Sequence, residues 1–220
     1  QFARSFIFAL LATILALAIA YPLAYAIAFK AGRLKNVLLV LVVAPFFVSF
    51  LLRTIAWKQI FSDGGAIMQT IYSLGLLDKS QHFLGTDAAV IFGLTYNFIP
   101  FMTLPLYTTL ERLDVRYLEA GADLYASPRR TFLKITLPLS MPGIVSGTLL
   151  TFIPIAGDYV NASGLFLGST ETSMLGNVVE SKFLKSYEYP TASALSVILM
   201  GAILLLVTLY VRKSGTDDLL

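Results

Sequence analysis

The run SFIFALLATILALAIAYPLAYAIAF, residues 5–29, contains no charged side chain and is long enough to cross a membrane as one helix. A helix needs about 20 apolar residues to span a hydrocarbon core of about 30 Å. Four further stretches are also predominantly apolar and long enough, at 36–57, 88–108, 138–158 and 190–211, with one charged residue each in the first (Arg53) and the third (Asp158). We therefore predict an all-α, polytopic membrane helix bundle with five spans, organised as a single domain over residues 1–220.

The composition excludes several classes of protein. The chain has 57% apolar and 13% charged residues, and its mean hydropathy is +0.78, values that a soluble globule does not have. Cysteine is absent, so disulfides, thiolate metal sites and a cysteine nucleophile are excluded. The single histidine, His82, lies in a polar stretch, and no carboxylate pair stands at ligand spacing. We predict neither a catalytic site nor a metal site.

The distribution of Lys and Arg predicts the orientation in the membrane. Three places fall on one side of the predicted bundle, residues 30–35, the loop 109–137 and the tail after 211, and together they carry ten basic against six acidic residues. We assign that side to the cytoplasm, which puts Gln1 outside. Because the chain opens without Met and without a secretory signal pattern, we expect at least one further span upstream and six spans in the complete protein.

Small residues and prolines mark the predicted spans. Alanines recur every four residues in the first span, at Ala12, Ala16, Ala20, Ala24 and Ala28. Such a ridge lets another helix approach closely, although alanine is also simply common in membrane helices. Prolines interrupt most spans, at Pro22, Pro45, Pro100, Pro105, Pro142 and Pro154. They predict kinks. The kinked helices either surround a pathway, or the kinks only shape the packing.

Two segments on the outer side are predicted to be partly ordered. Residues 61–87 contain a short amphipathic stretch between glycines, which indicates an interfacial helix. Residues 159–189 indicate a loop followed by a short helix. Either segment contacts an external partner or only connects two spans.

Residues 109–137, here named the cytoplasmic loop, carry a helical pattern. From Leu110 to Tyr125 the apolar residues fall three or four positions apart, at Leu113, Tyr117, Ala120 and Leu124. Ser127 and Pro128 predict the start of a second short helix, with a capping hydroxyl and a proline in the first turn. We expect two short helices along the inner membrane surface that present a ridge to the cytoplasm.

Within this loop, residues 119–138, EAGADLYASPRRTFLKITLP, resemble the signature of the permease subunits of type I ABC importers. That signature is Glu-Ala-Ala, three residues, Gly, nine residues, then Ile-x-Leu-Pro. The residues that match it in register are Glu119, Ala120, Ile135, Leu137 and Pro138. Gly121 replaces the second Ala, and Tyr125 stands where the family has Gly. If the turn keeps a left-handed backbone, Tyr125 costs about 1 kcal/mol more than Gly.

The resemblance covers essentially the whole chain and narrows to the permeases of polyamine (spermidine/putrescine) importers. It rests there on four groups of residues: Pro45 with Phe46, 52–57, 139–143, and 176–178 with Phe183. It implies a non-catalytic permease in the bacterial plasma (inner) membrane that forms half of a translocation path. The implied partners are a second, unlike permease, a cytoplasmic ATPase dimer and an external substrate-binding protein, with no nucleic acid. ATP and Mg²⁺ would bind the ATPase, and this chain would bind no cofactor.

The resemblance also implies which residues couple the permease to the ATPase. The expected coupling set is Glu119, Ala120, Gly121, Tyr125, Ser127, Pro128, Ile135, Leu137 and Pro138. Glu119 would meet basic residues in a groove of the ATPase, and the alternative is a solvated helix charge. Pro138, at the junction of loop and span, would stiffen the connection through its fixed φ.

The substrate path is predicted from the charge of a polyamine, which needs carboxylates or aromatic faces to replace its lost hydration. The candidates are Asp158, Tyr159, Tyr96 and Asn97; for Asp158 the alternative is a helix-end residue in contact with water. We expect Arg53 to pair with a carboxylate or to reach the outer interface. An alternative function is ABC import of another solute, such as an oxyanion, iron or a sugar. A secondary carrier would need inverted repeats, which the sequence lacks.

Overall fold

The computed structural model describes residues 1–75, 78 and 82–213, and within these ranges it contains helices and no strand. Parts of the predicted outer segment, at 76–77 and 79–81, and the tail 214–220 lie outside the described residues. The α-helices are α1 Phe2–Phe29, α2 Lys35–Val43, α3 Phe50–Ile60, α4 Ala66–Ser73, α5 Asp87–Glu111, α6 Arg116–Asp123, α7 Pro128–Thr131, α8 Leu137–Leu139, α9 Met141–Ala156, α10 Leu175–Leu184 and α11 Tyr189–Lys213.

Three of these helices, α1, α5 and α11, are long and apolar enough to cross a membrane, and up to five spans result if two bent pairs each count as one. The bent pairs are Gly32–Phe47 with α3, at 93°, and Pro128–Leu139 with α9, at 62°. The number of predicted spans therefore agrees with the structure. The interruption predicted at Pro45 within 36–57 is present, and it is a sharp turn between two helices.

The break in the second span has a local cause. Pro45 lies in a 3₁₀ turn, Ala44–Phe47, that ends α2, and the next two residues are extended, with ψ of 135° at both Val48 and Ser49. Proline cannot donate to the preceding turn, and two extended residues redirect the chain before α3 begins. Pro22 of α1 and Pro154 of α9, by contrast, lie inside helices that continue past them.

The centre of the bundle is formed by α1, α5 and α9, which pack mainly against one another. The alanine ridge faces this centre, and four of its members are fully buried: Ala12, Ala16, Ala20 and Ala24. On α9, a Cβ atom added to Gly147 would stand 2.8 Å from the sulfur of Met102 of α5. Small residues on two helices therefore set the spacing of the core, and the predicted ridge is confirmed as a packing surface.

The two predicted short helices in the outer segments are present as α4 and α10. Residues 157–174, here named the outer loop, connect α9 to α10 and pack on the start of α5. The amide of Gly85 donates to the carbonyl of Leu167 at 2.8 Å. A Cβ atom on Gly93 of α5 would stand 2.3 Å from a methyl carbon of Leu167. The outer loop thus closes one end of the three-helix core.

Candidate functional site

The cytoplasmic loop begins with a break that the sequence did not predict. Instead of one helix over 110–125, α5 ends at Glu111 and α6 begins at Arg116. The carboxylate of Asp114 accepts the amide of Arg116 at 3.0 Å, a side-chain cap that competes with a continuous helix. The expected apolar face of α6 is not buried against the rest of the chain: Tyr117 is 58% and Leu124 81% exposed.

The turn after α6 has a left-handed backbone at Tyr125, the position where the family signature has glycine. Tyr125 has φ of 56°, and the amide of Ala126 donates to the carbonyl of Gly121 at 3.0 Å. This six-to-one hydrogen bond closes a helix in the way that usually places glycine at the left-handed position. The turn therefore keeps that geometry with tyrosine in place, at a backbone cost of about 1 kcal/mol relative to glycine.

Gly121 explains how the two halves of the loop lie together. The residue is buried, and a Cβ atom there would stand 3.1 Å from Cδ1 of Ile135 and 3.2 Å from Oγ1 of Thr131. Both distances are shorter than an ordinary van der Waals contact. Glycine in place of the second alanine of the signature therefore lets α6 lie closer to the second half of the loop.

The second half of the loop is one continuous helical run, Pro128–Leu139, made of three consecutive segments. α7 is followed by a π-helical turn, Phe132–Thr136, and then by α8, which has Pro138 in its first turn. The predicted helix start at Ser127 and Pro128 is confirmed, but the predicted capping hydroxyl is wrong, because the Ser127 side chain makes no capping hydrogen bond. The Ser127 carbonyl accepts the amide of Thr131 at 3.0 Å instead.

The end of the loop is fastened to α1. The hydroxyl of Tyr21 is hydrogen-bonded to the hydroxyl of Ser140 at 2.8 Å, in a buried contact. The ring of Phe132 packs edge-on against Tyr21 with centroids 5.6 Å apart, and lies 6.4 Å from Tyr25. Phe132 and Leu137 pack against the buried cluster of α1 and α5. Sequence reasoning missed Tyr21 and Ser140, which belong to different predicted spans.

Two of the four predicted path residues are brought together. The amide nitrogen of Asn97 donates to Oδ1 of Asn161 at 3.2 Å. Asn161 in turn donates to both carboxylate oxygens of Asp158, from its backbone at 2.8 Å and from its side chain at 3.1 Å. All three residues are buried. They form a polar chain from α5 to the end of α9, and Asn161 is the member that sequence reasoning missed.

The other two predicted path residues lie apart from this chain and from each other. Tyr159 is half exposed and lines a cavity of about 540 Å³ between α9, α10 and α11, together with Glu180. Tyr96 lines a separate cleft of about 270 Å³ beside Pro45 and Pro100. The four residues therefore do not line one cavity, because Tyr96 and Asn97, as neighbours on a helix, point in different directions.

Arg53 has no carboxylate partner among the described residues. Its guanidinium carbon lies 5.5 Å from the ring centre of Phe46 and 5.9 Å from that of Phe50. Its Nε and Nη1 are buried without an acceptor. The aromatic faces attract the cation, but they do not accept the two N–H groups.

The Asp158 carboxyl lies just past the end of α9, and burial raises its pKa from 3.8 to about 6, against the opposing effect of the hydrogen bonds from Asn161. Between about pH 4 and 6 the folded chain therefore holds a proton that the unfolded chain has released. The raised pKa therefore contributes on the order of 3 kcal/mol to the free energy of unfolding. This contribution is present below pH 4 and is lost as the pH rises through 6.

We expect wild-type protein in detergent to lose thermal stability between pH 4.5 and 7.5 relative to Asp158→Asn, whose amide does not titrate in this range. Melting curves of the two proteins at both pH values measure the difference. Parallel pH dependence of the two proteins would contradict the assignment of this titration to Asp158.

Apolar helices long enough to cross a membrane, a close-packed core and a structured loop between two spans define a polytopic helical membrane protein. The fold is that of a bacterial ABC transporter involved in the import of the acidic polysaccharide alginate, with a TM-score of 0.75 and 16% identity, over 99% of this chain and 80% of that chain. Residues 6–213 match the family described as binding-protein-dependent transport system inner membrane component. The chain belongs to this family and is a multi-pass membrane protein.

Two relatives agree with the narrower resemblance. The spermidine/putrescine transport system permease protein PotB of Haemophilus influenzae is 39% identical over 180 residues, which are 82% of this chain and 62% of that protein. PotB of Salmonella typhimurium strain SL1344 is 36% identical over 206 residues, 94% of this chain and 71% of that protein. The chain thus spans about two thirds of the length of these relatives. The resemblance inferred from the loop signature is confirmed.

Proposed function

We propose that this chain is the permease subunit of an ATP-driven importer. In this proposal it forms half of a translocation path with a second, unlike permease, and an external binding protein delivers the solute. A cytoplasmic ATPase dimer binds and hydrolyses ATP with Mg²⁺, while this chain performs no chemistry. Its role is to convert closure of the ATPase into alternating access of the path.

The observation that carries this proposal is the construction of the cytoplasmic loop. One side of the loop is unburied, with Tyr117, Glu119 and Leu124 exposed. The other side is fastened to the core through the hydrogen bond between Tyr21 and Ser140. A loop that only connected two spans would need neither an exposed apolar face nor a buried attachment. A loop that transmits force needs both, because it must bind a partner and must not bend.

The attachment also indicates which elements move together. Phe132 contacts Tyr21 and Tyr25 of α1, and Ser140 immediately precedes α9. When the ATPase subunits approach each other, a docked loop would pull on α1 and on the start of α9 as one body. Small displacements of this kind are converted into larger rearrangements because packed helices have discrete arrangements.

For the substrate we propose a polyamine. The two relatives named as spermidine/putrescine permeases support this choice. Within the chain, support comes from Tyr159 and Glu180, an aromatic ring and a carboxylate on the same cavity, a combination that suits an organic cation. The buried carboxylate of Asp158, held by Asn161, adds negative charge near the outer end of α9.

The alternative substrate is an anion, and Arg53 is the specific observation in its favour. Two of its buried N–H groups have no acceptor among the described residues, and an oxyanion would supply one. The two substrates therefore predict opposite effects of removing this charge: Arg53→Gln would abolish import of an anion, whereas it would remove a repulsive charge for a cation.

The experiment is ATP-dependent uptake of labelled spermidine into proteoliposomes that hold this chain with its co-purified permease, ATPase and binding protein. We expect uptake that requires ATP and that unlabelled putrescine competes away. ATP hydrolysis without spermidine uptake would contradict the polyamine and leave the importer architecture. Uptake that persists after removal of the ATPase would contradict the importer and indicate a secondary carrier.

A further inference from the structure

The turn after α6 combines two unfavourable features in one residue. Tyr125 adopts a left-handed backbone, with φ of 56°, which side chains other than glycine and asparagine rarely take. Its side chain is also 98% exposed, so the ring gains nothing from burial in this chain. Strained residues persist where something else requires them.

Within the described residues, no contact compensates the strain at Tyr125. The other left-handed tyrosine of the described chain, Tyr187, lies on the outer side, and its ring packs 6.3 Å from that of Tyr189. Tyr125 has no such ring contact in the described part of the chain. Its neighbour Leu124 is 81% exposed, so a ring and an aliphatic side chain project together from the turn.

We propose that Tyr125, together with Leu124, is an anchor that inserts into an apolar socket on the ATPase subunit and determines which ATPase this permease accepts. The inference rests on the proposed function, because it requires a cytoplasmic partner for this loop. It gives a specific role to Tyr125, the member of the expected coupling set that stands where the family signature has glycine. It therefore predicts a socket on the cognate ATPase that ATPases of permeases with glycine at this position do not need.

The charges around the turn favour a protein partner over a lipid surface. Glu119 and Asp123 lie exposed on the α6 side, and Arg129 and Arg130 lie exposed on the α7 side. A central apolar anchor with a rim of charged residues is the usual arrangement of an interface hot spot. The inner leaflet is anionic and would repel the acidic half of this rim, whereas a protein can complement both halves.

The test uses the complete solubilised transporter and three variants of Tyr125. Tyr125→Gly relaxes the backbone and removes the ring, Tyr125→Asn tolerates the left-handed backbone without a ring, and Tyr125→Phe keeps the ring. We expect the first two to weaken the affinity for the ATPase subunit about tenfold or more, as loss of a hot spot does. Tyr125→Phe should stay within about twofold, because the ring is retained. Titration of purified ATPase onto the immobilised permease pair measures these affinities.

Tyr187→Gly is the matched control, since it makes the same change at a left-handed tyrosine on the outer side, and we expect unchanged affinity. The melting temperature of the Tyr125→Gly permease should not fall, which separates loss of the anchor from misfolding. Wild-type affinity in Tyr125→Gly and Tyr125→Asn, with weakened binding in Glu119→Lys, would overturn the anchor and leave the proposed function intact. Wild-type affinity in all of these variants would overturn docking of the loop itself.

Discussion

Glu119→Lys is expected to reduce ATP-dependent uptake at least about thirtyfold while the permease remains in the membrane. Glu119 is exposed in the first turn of α6 and forms no ion pair within the described residues, so the change should not disturb the fold of the chain. If Glu119 meets basic residues of the ATPase, reversal of its charge leaves those residues buried and repelled. Loss of one member of such a pair costs about 2 to 5 kcal/mol.

The measurement is uptake and ATPase retention in proteoliposomes of equal permease content. Glu171→Lys, the same charge reversal in the outer loop, should retain the ATPase fully. Normal uptake by Glu119→Lys would show that this residue is only a solvated helix charge.

Ala20→Leu is expected to destabilise the bundle by about 1 to 3 kcal/mol or more, which is the usual cost of overpacking a core. Ala20 is fully buried in the cluster that joins α1 to α5, which also contains Met102 and Leu106. Three added carbon atoms have no room there, because the alanine ridge sets the distance between the two helices.

Ile19→Leu is the control for this variant. Ile19 is the preceding residue of the same helix and is 48% exposed, so a change of shape there should have little effect. The yield of folded protein and the melting temperature in detergent compare the two variants. If Ala20→Leu melts with the wild type, α1 and α5 do not depend on this close approach.

The parts of the fold that follow from local sequence were predictable. Five apolar stretches, an alanine ridge and the register of Tyr125 each depend on residues close together in the chain. The 93° turn between α2 and α3 was not predictable, because hydropathy measures how apolar a segment is and not its direction. Pro45 marked a break, but the angle depends on two extended residues that follow it.

In the candidate site, too, the features that depend on residues close together in the chain were predictable and the long-range contacts were not. The loop signature located the segment that we propose to dock on the ATPase, since its residues are adjacent in sequence. The bond between Asn97 and Asn161 joins residues 64 positions apart, and the bond between Tyr21 and Ser140 joins residues 119 apart. In neither bond does the sequence around one residue indicate which distant residue is its partner. The division of Tyr96 and Tyr159 between two cavities depends on the same long-range packing.

The last helix has a practical consequence for handling the protein. Only 6% of the apolar window of α11 is buried within the chain, and α10 is its main neighbour. Its position therefore depends on its surroundings, acyl chains or a partner subunit, more than on side chains of its own bundle. A short-chain detergent replaces those surroundings, so purification in a lipid nanodisc should preserve the arrangement of α11 better than a small micelle does.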